Sequence, residues 1–541
     1  MSSGPRRKFL QDIVLGAIEV EDPYLQALDQ PVFQRLRRLE QLGPAALVYP
    51  TGQHTRFSHS IGVFSLARRA FDTLASQLPD EHAFNKSKPM FLKAALLHDV
   101  GHYPLSHTIE AAYSDKDTEF TKRLNSAVEL DASGIPIKVN LAPAGSAKKP
   151  DGPASWIPGD KRLLQQAALS RRVDGWSHHE DMARVVIEST AWGLREFFED
   201  DEERENAIRM IEGVPPNVKY GSLLTNLIHG VVDVDRLDYL LRDSASLGSS
   251  YGGVDVDRLL GQLRIYPDTY KTPYLAFPRK ALPAVDHYLA SRYVAYEAIA
   301  FHPVVTAFDV LARAAYWLLL KDKTGIGEFP RNTDEYRKVA AGQPVKGRAS
   351  FLRVNDDLYW DSVRRLYELE RAAGRTESLA YYVTSSLLER RPPKMVWELA
   401  TTYKKRWKGY RFEDGKPTVA TFGGDPIHWN LADYSEKCQR LQSAVRTVAK
   451  ALSLEDRLFY TEQKVDIYKE GTNSDWDVEL SEGIPGQSLI LHEDGVPRTL
   501  ESLSWGLAQE LATLETRFFR VYAPSDRADD VQKAMSKEMQ K

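Results

Sequence analysis

A mainly α protein, with a helical core followed by a C-terminal mixed α/β lobe, is the fold class the sequence predicts, and three observations predict it. Helical periodicity is strong, and strand-like content thin, over roughly the first 320 residues. Clusters of β-formers bounded by turn signals gather only after about Gly342. At 541 residues the chain can bury a large core without disulfides or a structural metal, so its stability does not depend on its histidines. Taken in order, "PVFQRLRRLEQLG" places Phe33, Leu36, Leu39 and Leu42 on one face and predicts a helix with Gly43 as its stop. Further helices are predicted at "HSIGVFSLARRAFDTLASQL", "EDMARVVIESTAWGLREFF", "YGSLLTNLIHGVVDVDRLDYLLRDSASLG" and the long "VDHYLASRYVAYEAIAFHPVVTAFDVLARAAYWLLL". Between them Val139–Asp160, dense in Pro, Gly, Ala and Ser, reads as a flexible surface insertion. Later, "SVRRLYELERAAG" is again helical, whereas "RLFYTEQKVDIYK", "QSLILHEDGVPRTL" and "RFFRVYAP" read as strands. The expected division is a helical core over 1–345 and a second, mixed lobe over 346–541, with no repeat at solenoid periods.

Composition bounds the function. With 43% hydrophobic and 27% charged residues the balance is ordinary for a globular protein, and a net charge of −4 lends no support to nucleic acid as a partner. The single cysteine, Cys438, can form neither an internal disulfide nor a thiolate metal site, which suits a reducing compartment. The N-terminal stretch is basic without an apolar h-region, and about 18 apolar residues never run uninterrupted. The expectation is a soluble cytoplasmic protein with no membrane partner.

The chemistry concentrates in "AALLHDVGHYPLSHTIE", where four polar imidazole and carboxylate positions, His98, Asp99, His102 and His107, interrupt an apolar run. With His59 in "TRFSHSIG" and Asp235 in "VVDVDRLDYLLRD", His98 and Asp99 complete a set of two imidazoles and two carboxylates. Nitrogen and hard oxygen ligands without sulfur suit an open catalytic site for Zn²⁺, Fe²⁺, Mn²⁺, Co²⁺ or Ni²⁺ rather than a closed structural zinc. Adjacent helical residues diverge by about 100°, so His98 and Asp99 converge only at a helix bend or end, which Gly101 and Pro104 favour. A lone histidine is more often a satisfied core residue than a ligand; the set reverses those odds, because an unpaired carboxylate among Val231, Val232 and Leu237 would be costly to bury. Spacing does not choose among Asp233, Asp235, Asp238 and Asp243, whose plain alternative is pairing with Arg236 and Arg242.

The motifs "HTRFSHSIGV", "LLHDVGHYPLSH", "SHHEDMARVVIE" and "DVDRLDYLLRDSASLG" resemble those of the HD-domain deoxynucleoside triphosphate triphosphohydrolases, which include bacterial dGTPases and the animal sterile-alpha-motif and HD-domain dNTPase. The likeness begins near Asp29 and extends through "SRYVAYEAIAFHPVV", and more weakly to "LFYTEQKVDIY" and "RVYAPSD". The bare HD doublet is shared by many phosphate-ester hydrolases; the GH-x-P-x-SH run from Gly101 to His107 and the DVD-x-x-DY pattern from Asp233 to Tyr239 are more specific. The resemblance implies that His59, His98, Asp99 and Asp235 are the metal ligands, selecting the second aspartate of DVD. It implies that Arg56 contacts the triphosphate, that Gln41 and Leu42 lie against sugar and base, and that Tyr239 and Asp243 line the sugar pocket. His102, His107 and His179 fall near the phosphates, supported by Glu110 and Glu180, although the family usually has Asp where this chain has Glu110.

The implied reaction converts a dNTP to a deoxynucleoside and inorganic triphosphate, with a transition metal and a second cation such as Mg²⁺, and with His107 as general acid. Two rivals stand beside it: an HD phosphohydrolase acting on nucleoside monophosphates or cyclic dinucleotides, and a nucleotide sensor without turnover. The family also implies a homo-oligomer regulated by a nucleotide effector. Asp29, Gln34 and Arg37 match its effector-binding helix, whereas Gln11, Ile13 and Leu15 depart from its N-terminal motif and Pro303 from a lysine position, so an altered effector, or none, is open to this chain. The second lobe would serve regulation or oligomerisation, and dNTP homeostasis and antiviral defence by dNTP depletion are both open to such an enzyme.

Overall fold

The chain opens with an antiparallel hairpin, Arg7–Asp12 against Gly16–Glu21, whose turn carries Gly16 at φ +72°. The computed structural model describes residues 6–78, 82–110, 128–130, 136–139, 178–266, 273–321, 325–404, 407–413, 416–422, 431–466, 490–493, 496–499, 507, 510–511 and 514–540. Except for Val139, the insertion expected at 139–160 lies outside the described residues. The protein is mostly helical with small sheets, as the sequence predicts.

Helices Arg56–Ala75, Lys88–Leu97, His179–Glu188, Asp201–Ile211, Gly221–His229 and Val234–Leu247 surround one apolar core, into which Val63, Phe64, Leu96, Leu97, Val186 and Leu237 are fully or almost fully buried. That core begins at Ile18 and continues through Leu387, drawing in Tyr359 and Val383 from the helices Asp356–Ala372 and Leu379–Leu388. A second core runs from Val396 to Met535 and unites the Leu431–Ala451 and Ala528–Met539 helices with a three-stranded antiparallel sheet. In that sheet Leu514–Ala523 lies between Phe459–Asp466 and Lys394–Lys404. Both outer strands thus hydrogen-bond to the buried central one. A four-stranded mixed sheet joins Val496–Thr499 and Ile490–Glu493 to Tyr274–Pro278 and Arg264–Tyr266.

Several expected helices are shorter than their periodicity suggests. The helix predicted from Pro31 onward is α-helical to Gln34 and a 3₁₀ turn to Arg38, because Leu39 is extended and its carbonyl accepts the Arg56 N–H at 2.9 Å while the Gln41 N–H donates to the His54 carbonyl. The helix expected through "WGLREFF" stops at Glu188, where the Ser189 hydroxyl takes the Ala191 N–H and Gly193 adopts φ +68°. Gly230 divides the next pair. The long one breaks into Leu282–Ala295, a π turn at Tyr296–Ala300, and Pro303–Lys321. This last helix is long and apolar enough to cross a membrane, yet 89% of its window is buried inside the protein and it carries Asp309 and Arg313. It is the central strut of the first core.

Candidate metal centre and active site

His59 stands in the first turn of the Arg56–Ala75 helix, one turn before Gly62. A Cβ on Gly62 would lie 1.8 Å from Asp238 Oδ1, so only glycine lets the Val234–Leu247 helix approach with its carboxylate. His98 is the C-cap of the Lys88–Leu97 helix, and Asp99 follows in the turn. The helix end therefore resolves the divergence of adjacent side chains, as the sequence requires. The turn is held by unusual backbone: Leu105 and Ser106 both have positive φ, +50° and +55°, a region that L-residues occupy at a cost. Two contacts impose it. The Asp356 carboxylate accepts the Leu105 N–H at 2.7 Å, and the Ser106 hydroxyl donates to the Glu40 carbonyl at 2.7 Å while accepting from Arg56 Nε at 3.0 Å.

His59, His98 and Asp235 offer three ligand atoms within 4.8 Å of one another. His59 Nε2 lies 3.0 Å from Asp235 Oδ1, and His98 Nε2 lies 3.9 Å from the same oxygen. Both Nε2 atoms are buried without a well-aligned hydrogen bond. Their outer nitrogens are occupied: His59 Nδ1 meets Asp238 Oδ2 at 2.8 Å, and His98 Nδ1 meets the Ala95 carbonyl at 2.9 Å. This is the arrangement in which Nδ1–H is fixed outward and a lone pair on Nε2 faces a cation. The donors present therefore fit a divalent metal. Burial alone would lower His59, but Asp235 and Asp238, with Asp99, push it up to about 10.

Asp99 bridges this trio to a second one. Its Oδ2 accepts from Arg56 at 2.7 Å and lies 3.8 Å from His59, while Oδ1 lies 3.5 Å from His98, 3.6 Å from His179 and 4.0 Å from His102. Burial would raise its carboxyl; Arg56, His98, His59 and His179 together hold it well below the usual range. His102, His107 and His179 form the neighbouring trio, with the His102 and His179 rings stacked at 4.2 Å. Glu110 ties it together, reaching His107 Nδ1 at 2.6 Å through Oε2 and the His179 N–H and Nδ1 at 2.7 and 3.1 Å through Oε1. Burial and the cations around His102 hold it far below its ordinary range, and its Nδ1 accepts the Tyr103 N–H, leaving a neutral ring with Nε2–H as donor. Burial would lower His179 too, but Glu180, Glu110 and Asp99 push it up to about 10. Glu180 approaches His179 at 3.3 Å, so of the two carboxylates expected to back His107 the structure places Glu110 there.

Of the residues expected around a sugar, Gln41 and Asp243 both reach His54, the first by its backbone N–H to the His54 carbonyl at 2.9 Å. The Asp243 carboxylate accepts from His54 Nε2–H at 2.7 Å, and Gln41 Oε1, His54 Nδ1 and the Tyr239 hydroxyl are buried without partners. Leu42 is half-buried beside them in sequence. Arg56, expected on the triphosphate, is buried against Asp99 and Ser106. The expected effector residues sit apart: Asp29 is exposed opposite Arg6 at 3.5 Å, Gln34 bonds the Leu28 carbonyl and Arg37, and the Arg37 guanidinium covers the Phe57 ring at 3.5 Å.

Sequence reasoning left several participants unassigned. Asp238 had competed for the metal; it is instead the outer partner of His59 and is gripped by Arg242 through Nε and a terminal nitrogen at 2.8 and 2.9 Å. Asp233 caps its helix by accepting the Arg236 N–H at 2.7 Å, and burial raises its carboxyl to about 7. Arg292 is buried with Nε unpartnered, in electrostatic reach of Arg236, Tyr239 and Tyr296. Burial and charge mark these residues; periodicity did not.

Residues 56–138 match the HD domain, a span that holds His59, His98 and Asp99, while Asp235 comes from a later helix. The chain carries an HD domain. Its HD domain lies in a region similar to an uncharacterised Bacillus subtilis protein, YwfO, at 27% identity over 305 residues, 56% of this chain and 54% of that protein. It is homologous to the Dictyostelium discoideum deoxynucleoside triphosphate triphosphohydrolase SAMHD1 homologue, 26% identical over 320 residues, 58% of this chain and 50% of that protein. The chain spans about half the length of the curated relatives it matches. The fold is shared with a Bacteroides thetaiotaomicron phosphohydrolase at 18% identity and a TM-score of 0.59, over 96% of this chain and 100% of that one. The HD domain thus comes with a site able to hold a divalent metal.

Proposed function

We propose that this protein is a dNTP triphosphohydrolase, splitting a dNTP into a deoxynucleoside and inorganic triphosphate. The observation that carries the proposal is the Asp99 carboxylate standing between the His59, His98 and Asp235 trio and the His102, His107 and His179 trio, in a chain homologous to enzymes of that name. His59, His98, Asp99 and Asp235 would hold a transition metal such as Zn, Fe, Mn, Co or Ni, with Mg²⁺ sharing Asp99; bound there, the ions supply Lewis acidity and water of lowered pKa. The protein's own groups do the rest. Cationic His179, the His102 Nε2–H and Arg56, which stands on Asp99, offer donors to a polyanion. Water adds at the α-phosphorus, the bond to the 5′-oxygen breaks, and that oxygen takes a proton. His107 holds it: its Nδ1 is fixed on Glu110, and the side chain is 62% exposed, which leaves Nε2 free to face a ligand. Gln41, Leu42, Tyr239 and Asp243 bind the deoxynucleoside, the Tyr239 ring excluding a ribose hydroxyl. A homo-oligomer responding to a nucleotide through Arg37 completes the proposal, and either dNTP homeostasis or antiviral depletion of dNTPs would follow from the same reaction.

The test is product identity. Each dNTP, incubated with the metal-reconstituted protein with and without every other nucleotide, should yield nucleoside and triphosphate in equal amounts by ³¹P NMR and chromatography. Release of pyrophosphate, or turnover only of nucleoside monophosphates or cyclic dinucleotides, would transfer the site to another HD chemistry; binding without turnover would make it a sensor.

A further inference from the structure

The N-terminal hairpin is wired to the proposed metal centre through three consecutive side chains. His59 Nδ1 meets Asp238 Oδ2 at 2.8 Å; Asp238 is held by Arg242 through both of its oxygens; and the remaining Arg242 nitrogen donates to Asp12 Oδ2 at 2.6 Å. Asp12 ends the first strand, and its other oxygen accepts the Val14 and Leu15 N–H groups at 2.9 Å, so one carboxylate both shapes the hairpin turn and grips the guanidinium. The Asp238 and Arg242 side chains are almost wholly buried, and Asp12 is 7% exposed. The cradle admits no side chain at residue 62: a Cβ there would stand 2.3 Å from Arg242 as well as 1.8 Å from Asp238.

We propose that Asp12, acting through Arg242 and Asp238, is a positioning residue of the metal centre, fixing the His59 ring with Nε2 turned to the ion. The proposal rests on the reading of His59 as a ligand. Asp238 carries two partners, and without the Asp12 anchor Arg242 keeps only one of its two carboxylates, so the guanidinium and the oxygen that orients His59 gain freedom together. Outer partners of this kind change metal affinity roughly 10–100-fold when removed. Asp12, two bonds further out, belongs at the lower end. The hairpin does not depend on this link to stay in place, since Val20 and Ile18 are buried in the core and Arg68 binds the Glu19 carbonyl and the Glu21 carboxylate.

The experiment titrates Co²⁺ into metal-stripped full-length protein, following the visible absorption of the bound ion and its competition with a chelator. Asp12→Asn keeps the oxygen that forms the turn and removes the charge facing Arg242; it should weaken Co²⁺ retention about 10-fold and alter the absorption bands, while helical content is unchanged. Glu21→Gln loosens the hairpin elsewhere and should leave affinity and spectrum as in the wild type. If Asp12→Asn binds Co²⁺ like the wild type, or if Glu21→Gln weakens it equally, Asp12 has no positioning role. A wild-type protein that takes up no Co²⁺ overturns the ligand assignment itself, which separates that failure from the first.

Discussion

Gly101 is where the HD turn meets the helix that delivers His179, and replacing it with alanine should damage the site without touching a ligand. A Cβ at this position would stand 2.2 Å from the Ala183 nitrogen, 2.3 Å from the His179 carbonyl oxygen and 2.6 Å from the Met182 carbonyl carbon. All three are backbone atoms and none can rotate away. Ordinary contact needs roughly 3.4 Å, so the two segments must part by about 1 Å, at a cost of about 1–3 kcal/mol or more for an overpacked interior. The displacement falls between Asp99 and His179, now 3.6 Å apart, and a misplacement of about 1 Å costs on the order of 100-fold in rate. Gly101→Ala should therefore lose about 100-fold in turnover and unfold at lower denaturant. Wild-type turnover and stability in this variant would show that the close approach is not what sets the spacing of the two trios.

His98→Ala should abolish metal retention and turnover while leaving the helical circular dichroism largely intact; full activity in a metal-free variant refutes the ligand assignment. His107→Ala should keep metal and substrate binding but lose roughly 10²–10⁴ in rate, and loss of metal instead would make His107 a ligand. In the metal-free protein His59 and His179, both pushed up to about 10, contribute stability that is full below about pH 6.5 and is lost as pH rises towards 10; urea unfolding across that range measures it, and His179→Gln should flatten the curve. Arg37→Ala should blunt any rise of oligomer size and activity with added nucleotide while sparing the basal metal site, as sedimentation and kinetics would show.

The helical class, the His59 helix and the helix end at His98 were legible because they are local: a 3.6-residue apolar stripe and a breaker within a few residues suffice to predict them. What interrupted the other helices was not local. The segment after Arg38 leaves the helix because Glu40 donates its N–H to Asp356 and Gln41 pairs with His54, and the first of these partners lies 316 residues away. The choice among Asp233, Asp235, Asp238 and Asp243 has the same character, since all four stand within one helical stretch and only packing against the His59 helix sorts them. Residue-by-residue resemblance selected Asp235 in advance, and the geometry brings it to His59 and His98. Asp12 carried no signal at all. An aspartate ending a strand before a tight turn has an ordinary local reason to be there.

The buried Arg520 bears on how the protein can be cut. From the central strand of the C-terminal sheet it donates to the Phe301 carbonyl, at the break beside the π turn, and to Gln463, whose amide reaches Thr306 at 2.8 Å. Phe459 and Tyr522 leave the same sheet to sit, stacked at 5.2 Å, in the core of the helical part. Modularity in this chain is therefore shallow. A fragment truncated near residue 390 would keep every residue assigned to the chemistry and yet strand a buried carbonyl and hydroxyl and open an aromatic-sized hole beside the Pro303–Lys321 helix, so a minimal catalytic piece is better sought by redesigning that seam than by deletion.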